Sequence, residues 1–321
     1  QEYWMPATVP GTVHTDLMAN GKIEDPYYRT NEREVQWVDK TDWEYRLTFA
    51  VDPSMLEYDA AQLEFLGLDT YADVYLNDSL ILRADNFFLA WERDVRSLLR
   101  AGENQLRIYF HSPAQVGLKK LAEHGFPLPA SNDQSENGGL GDKRVSIFLR
   151  KPGYHFGWDW GPRLVSIGIW RPVNLKLWNA ARLEDVFFRQ DSLDVDQARL
   201  TALCEAHVLS EGSYTLEVWN GDTLLRQQTM NLSPGKHTLE LPFEIVQPKR
   251  WWTKELGEQH RYALQVKLVQ SGTTLDQIGH KVGLRTVRVV QTPDEKGSSF
   301  YVELNGHALF SKGANYIPND V

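Results

Sequence analysis

The chain has 321 residues, 42% of them hydrophobic and 24% charged, a globular balance and a length that suits about two domains. Its 34 Lys and Arg against 43 Asp and Glu leave a net charge of −9, which argues against a general nucleic-acid binder, because phosphate neutralisation needs concentrated positive charge. A single cysteine, Cys204, excludes an internal disulfide and any multi-cysteine metal site.

Pro10-Gly11-Thr12 opens a short predicted helix through Val13, Leu17 and Met18, with Thr12 as N-cap and Gly21 as terminator. Asp16 is expected to meet the unpaired amides at the helix's positive end. Period-two alternation follows. Trp43, Tyr45, Leu47 and Phe49 share one face of a strand, as do Ala72, Val74 and Leu76, then Leu106, Ile108 and Phe110, then Val173, Leu175 and Leu177. Strands of this kind bury one face and wet the other, as in antiparallel sandwiches. Asp52-Pro53, Asn77-Asp78 and 101–104 supply turns. Residues 112–150 break the pattern with a helical turn around Val116 to Ala122 and a polar run from Ser131 to Gly139. A connection that long is expected at the rim of the first domain, over the site it helps to form.

A composition shift at Asn179-Ala180-Ala181 closes a first domain, residues 1–179. Over residues 180–291, Leu200, Ala202, Cys204, Ala206 and Val208 alternate, as do Tyr214, Leu216 and Val218 and then Tyr262, Leu264, Val266 and Leu268. Cys204 in that series predicts a buried, inert thiol. Asn220-Gly221 and Ser271-Gly272 are hairpin signals. Roughly seven strands at this spacing predict an immunoglobulin-like sandwich. Residues 292–321 are too few for a core of their own and are expected to open a further domain. No run approaches 18 apolar residues, so no transmembrane helix is expected, and no basic-then-apolar opening marks a signal peptide.

The densest chemistry lies in Gly157-Trp158-Asp159-Trp160-Gly161-Pro162. Flanking glycines and Pro162 predict a looped backbone. Two indoles beside a carboxylate suit a sugar: the aromatic face lies on the ring's C–H surface and Asp159 accepts from neighbouring hydroxyls. A packing plug with a capped carboxylate is the alternative, and Tyr154 and His155 stand close by. Residues 137–141 are Gly-rich without a phosphate-loop ending, and the nine scattered histidines form no zinc motif. Asn77 and Asn231 begin Asn-x-Ser sequences, and Trp251-Trp252 is expected to anchor a domain interface. No nucleophile elbow and no acid–base carboxylate pair stands out, so no catalytic residue is assigned.

Val9-Pro10-Gly11-Thr12-Val13-His14, Asp42-Trp43-Glu44-Tyr45-Arg46, the block Phe65 to Asn77 containing Leu68-Asp69-Thr70, Ala84-Asp85-Asn86, Arg150-Lys151, Gly157 to Pro162, Gly168-Ile169-Trp170-Arg171-Pro172, Val282-Gly283-Leu284-Arg285 and Lys312 to Pro318 together resemble the N-terminal part of a beta-mannosidase of glycoside hydrolase family two. The resemblance implies an all-β chain: a jelly-roll, galactose-binding-like sandwich, an immunoglobulin-like sandwich, and in residues 292–321 a linker and the first strand of a (β/α)8 barrel that lies mostly beyond Val321. It implies a retaining exo-beta-mannosidase whose two catalytic glutamates belong to that barrel, with no cofactor and no metal. Trp158, Asp159, Trp160, Asn315 and Tyr316 are then the substrate-binding residues, and the 321-residue piece alone is expected to be inactive. The implied partners are beta-mannosides and the chain's own C-terminal barrel, with a homodimer allowed, no nucleic acid and no membrane, in a soluble cytoplasmic or periplasmic protein. The alternatives are another family-two glycosidase (beta-galactosidase, beta-glucuronidase or exo-glucosaminidase) and a non-catalytic carbohydrate-binding protein. After Trp251-Trp252 the sequence departs from the family's Pro-Asn-Gly with Thr253-Lys254-Glu255.

Overall fold

The structure, a computed structural model, describes residues 4–159 and 161–316. The chain falls into two compact units that part between Leu177 and Trp178.

The first unit is a sandwich of two sheets. Strands β1 (Trp43–Val51), β6 (Gly102–Phe110), β3 (Tyr71–Leu76) and β4 (Ser79–Asp85) form one antiparallel sheet in that order, and β5 (Trp91–Asp94), β2 (Ala60–Phe65) and β7 (Val173–Trp178) form the other. Alternation works as expected at the centre, where Val74, Leu76, Ile108 and Phe110 are buried against Leu63 and Phe65. Each such side chain contributes roughly 1.5–3 kcal/mol by leaving water. Asn77 and Asp78, with φ of +48° and +67°, make the tight turn between β3 and β4. Asn77 spends its side-chain amide on Leu98 O and Asn104 Oδ1, so the Asn-x-Ser sequence there is a structural turn.

Strand β1 departs from expectation. Its four large residues do share a face, but Trp43, Tyr45 and Phe49 are only half-buried and Leu47 is 56% exposed. The reason is that β1 and β7 are both sheet edges. A hollow of about 930 Å3, lined by Tyr45, Leu47, Val173 and Leu175 among others, stands where a covering layer would be.

Helix α1 (Val13–Ala19) is capped by Thr12, whose hydroxyl accepts from Thr15 N while the Thr15 hydroxyl accepts from Thr12 N. Asp16 does not serve the helix's own amides: its carboxylate accepts from Thr8 N at 2.8 Å and from the Tyr45 hydroxyl at 2.9 Å, tying the N-terminal segment to β1. Helix α2 (Pro113–His124) is longer than the single turn expected. Ser112 caps it by accepting from Gln115 N at 3.1 Å, Pro113 fills the first position, and Gly125 ends it at φ +88°.

The second unit contains seven strands in two sheets: β11 (Thr223–Leu232), β10 (Gly212–Asn220), β13 (Tyr262–Gln270) and β14 (Thr273–Val282), then β12 (Gly235–Val246), β9 (Gln197–Val208) and β8 (Ala181–Leu193). The sequence's alternating sets supply the core, with Leu200, Ala202, Cys204, Tyr214, Leu216, Val266 and Leu268 all buried. A smaller sheet of β15 (Val287–Val290), β18 (Tyr301–Leu304) and β19 (His307–Leu309) follows, together with the hairpin β16 (Pro293–Asp294) and β17 (Gly297–Ser298). Trp251 works inside this unit: its N–H donates to Leu284 O at 2.8 Å and its carbonyl accepts from the Asn305 amide at 3.0 Å. It therefore fastens the sandwich to the C-terminal hairpin. Among the described residues no helix is long and apolar enough to cross a membrane, and no three His, Cys, Asp or Glu side chains gather where a metal ion could sit.

Candidate functional site

Residues 157–162 leave the sandwich as a loop. Gly157, at φ +103°, turns the chain out after the 3-10 turn Gly153–Phe156, and Trp158 N donates back to Gly161 O at 3.4 Å. Trp158 is 38% exposed and Asp159 is exposed, so the indole and the carboxylate are available on the surface of the first unit. Neither Trp158 nor Asp159 is sealed inside the first unit. Trp160 lies outside the described residues.

Two residues before Gly157, His155 joins a buried polar cluster. Lys151 Nζ sits 2.5 Å from Asp69 Oδ1 and donates to Ser166 O at 2.8 Å, while the Ser166 hydroxyl donates to Asp69 Oδ2 at 2.7 Å and lies 3.2 Å from His155 Nδ1. Burial, with the Lys151 charge second, pushes the His155 imidazole down to about 2 and His14 down to about 4, so both rings stay neutral near pH 7. Tyr154 is pushed up, by burial first and by Asp69 second. His155 is thus a structural member of the cluster. An aromatic row leads outward from it: Phe87 meets His155 edge-on at 5.7 Å and stacks on Trp170 at 4.3 Å, and Arg171 covers Trp170 at 4.1 Å.

Two residues that sequence reasoning passed over hold the loop's ends, Gln134 and Arg163. Gln134 N donates to Phe156 O at 2.9 Å and its side-chain amide donates to Trp158 O. Arg163, 1% exposed, pairs with Asp39 at 2.7 Å. The available signal was the two glycines, Gly157 and Gly138, each with a side chain lying where its own Cβ would go. Asn315 and Tyr316 belong to the second unit, in exposed chain without regular structure.

The geometry has close relatives. The pattern described as "Glycosyl hydrolase 2 galactose-binding domain-like" matches residues 1–171, more than half of the chain, and "Glycosyl hydrolases family 2" matches residues 181–285. The chain belongs to glycosyl hydrolase family 2. Within the family it is similar to Beta-mannosidase B of Aspergillus terreus, 36% identical over 325 residues that cover 99% of this chain and 37% of that protein. Beta-mannosidase B of Aspergillus fumigatus is 37% identical over 327 residues, covering 100% and 37%. The crystal structure of a beta-D-mannosidase from Dictyoglomus thermophilum superposes with a TM-score of 0.90 at 38% identity, covering 99% of this chain and 38% of that one. The exo-chitosanase CsxA of Amycolatopsis orientalis shares the fold, with a TM-score of 0.73 at 23% identity over 98% of this chain and 34% of its own. The chain spans a little over a third of the length of the curated relatives it matches.

Proposed function

We propose that this chain is the N-terminal, non-catalytic region of a retaining exo-beta-mannosidase that removes terminal non-reducing beta-D-mannose. The observation that carries the reading is similarity along 99% of the chain, at 38% identity, to a beta-D-mannosidase of known structure, with the Trp158–Asp159 pair exposed on the first unit. On this reading Trp158 and Trp160 wall the minus-one sugar subsite and Asp159 holds ring hydroxyls, because an aromatic face suits C–H surface and a carboxylate accepts two hydroxyl hydrogens. On the same reading Asn315 and Tyr316, exposed and without regular structure in this chain, join the carboxyl end of the first barrel strand in the full-length enzyme, where barrel enzymes gather their sites, and residues 292–321 bridge the second sandwich to that barrel. Two barrel glutamates supply the chemistry: one attacks the anomeric carbon, the other protonates the leaving oxygen and then activates water, their carboxyl groups about 5–5.5 Å apart.

The test is a panel of 4-nitrophenyl glycosides offered to the full-length enzyme and to the 321-residue chain. The reading expects the beta-mannoside to be the preferred substrate of the full enzyme by at least about 100-fold in kcat/KM, roughly 2.7 kcal/mol of discrimination, and no turnover by the shorter chain. Preference for a galactoside, glucuronide or glucosaminide, or hydrolysis by the shorter chain, contradicts it.

A further inference from the structure

We propose that Gln134 and Arg163 are positioning residues for the sugar-binding loop, and that the polar run around residues 134–138 is the wedge that fixes Trp158 and Asp159; this rests on the reading of that loop given above. Both ends of the loop are fixed by hydrogen bonds from residues outside it.

At the entry end the Gln134 backbone N–H donates to Phe156 O at 2.9 Å and its side-chain amide donates to Trp158 O, one residue before Asp159. The Gln134 side chain lies 2.6 Å from where a Cβ on Gly157 would be, so the glycine and the glutamine fit as a pair. Asn137 Nδ2 donates to Gln134 Oε1 at 2.9 Å, which orients the amide with its NH2 toward Trp158. At the exit end Arg163 is gripped through both backbone and side chain. Its N–H donates to Glu32 Oε1 at 2.8 Å and its carbonyl accepts from Gln36 Nε2 at 2.7 Å. Its guanidinium donates to Gln36 Oε1 at 2.6 Å and to Asp39 Oδ2 at 2.7 Å.

The two ends are linked. Gly138 N donates to Gln134 O at 3.1 Å, and a Cβ on Gly138 would overlap the Arg163 guanidinium. One turn of chain therefore touches Gly157 and Trp158 at its start and Arg163 at its end. Arg163 is a costly choice for a strut: it is a fully buried charge, and its Nε and Asp39 Oδ1 are left without partners among the described residues. An apolar side chain would be cheaper to bury but could not fix the backbone through a planar fork of donors.

The experiment compares Gln134→Ala and Asp159→Ala with the parent full-length enzyme, following 4-nitrophenyl beta-mannoside hydrolysis and hydrogen exchange of peptides spanning 154–163. Gln134 is partly exposed, so the variant is expected to fold. Positioning predicts faster exchange confined to that span and a KM raised at least about fivefold, which a mere loss of folded enzyme cannot produce. Unchanged exchange there overturns the proposal. So does faster exchange with unchanged kinetics while Asp159→Ala is impaired. If Asp159→Ala keeps full activity, the sugar-binding reading of the loop fails and the positioning role fails with it. Arg163→Lys, which keeps the charge and loses the fork, is expected to raise KM in the same direction.

Discussion

Asp69 and Lys151 stand 82 positions apart in the chain and meet 2.5 Å apart with side-chain exposures of 1% and 0%. Burial alone would lower the Lys151 pKa, and the Asp69 carboxylate opposes that shift. The segments that carry the family resemblance converge on this pair. Asp69 pairs with Gly168 across an isolated bridge, Gly11 N donates to Ile169 O, and Val13 N to Ile167 O. The blocks around Gly11, Asp69, Lys151 and Gly168 are thus one structural object, joined around the buried Asp69–Lys151 pair.

Removing one partner of that pair strands the other. Asp69→Asn is expected to destabilise the first sandwich by about 3–5 kcal/mol, because a buried ammonium loses its counter-charge. Urea denaturation of the folded protein checks it, and a loss under about 1 kcal/mol would show that Lys151 finds other compensation.

The neutral histidines set an acid limit. Their folded values of about 4 for His14 and about 2 for His155 lie below the ordinary 6.5, so between those limits the unfolded chain binds more protons than the native one. The histidine contribution to stability is therefore full above pH 6.5 and falls as pH drops, by up to about 1.4 kcal/mol per pH unit for each ring. Denaturation series between pH 7 and 5 should show this slope, and His14→Gln should remove about half of it. A flat profile would contradict the assignment.

Cys204 is buried in β9 and its thiol is pushed up to about 12, by burial first and by Asp185 second. The thiolate is the reactive form, so the native protein should resist iodoacetamide at pH 8 for hours and label fully in denaturant. Rapid native labelling would mean that the β8–β9–β12 sheet opens readily.

Much of the fold was legible in the sequence because strand pleat and sequence period coincide. Leu200, Ala202, Cys204, Ala206 and Val208 alternate in the chain and are all buried in β9. Asn77-Asp78 and Ser271-Gly272 announce turns through residues that tolerate positive φ, and both turns are present. The departures have a common cause: local pattern says which face a residue joins and not what covers that face. Leu47 alternates correctly on an edge strand and stays exposed, and Asp16 leaves its own helix for Thr8 and Tyr45. The aromatic-carboxylate loop was visible as composition. Its supports were not, because Gln134, Arg163 and Asp39 come from separate stretches and meet only after the sheets have formed.

The central claim is that this all-β region lends one sugar subsite of the whole enzyme an aromatic wall and a carboxylate. Kinetics of full-length Asp159→Asn on 4-nitrophenyl beta-mannoside test it most directly. Loss of charge-assisted hydrogen bonds, each about 1.5–3 kcal/mol, predicts a fall in kcat/KM of roughly 10- to 150-fold with the fold intact. A kcat/KM equal to that of the parent enzyme would contradict the account.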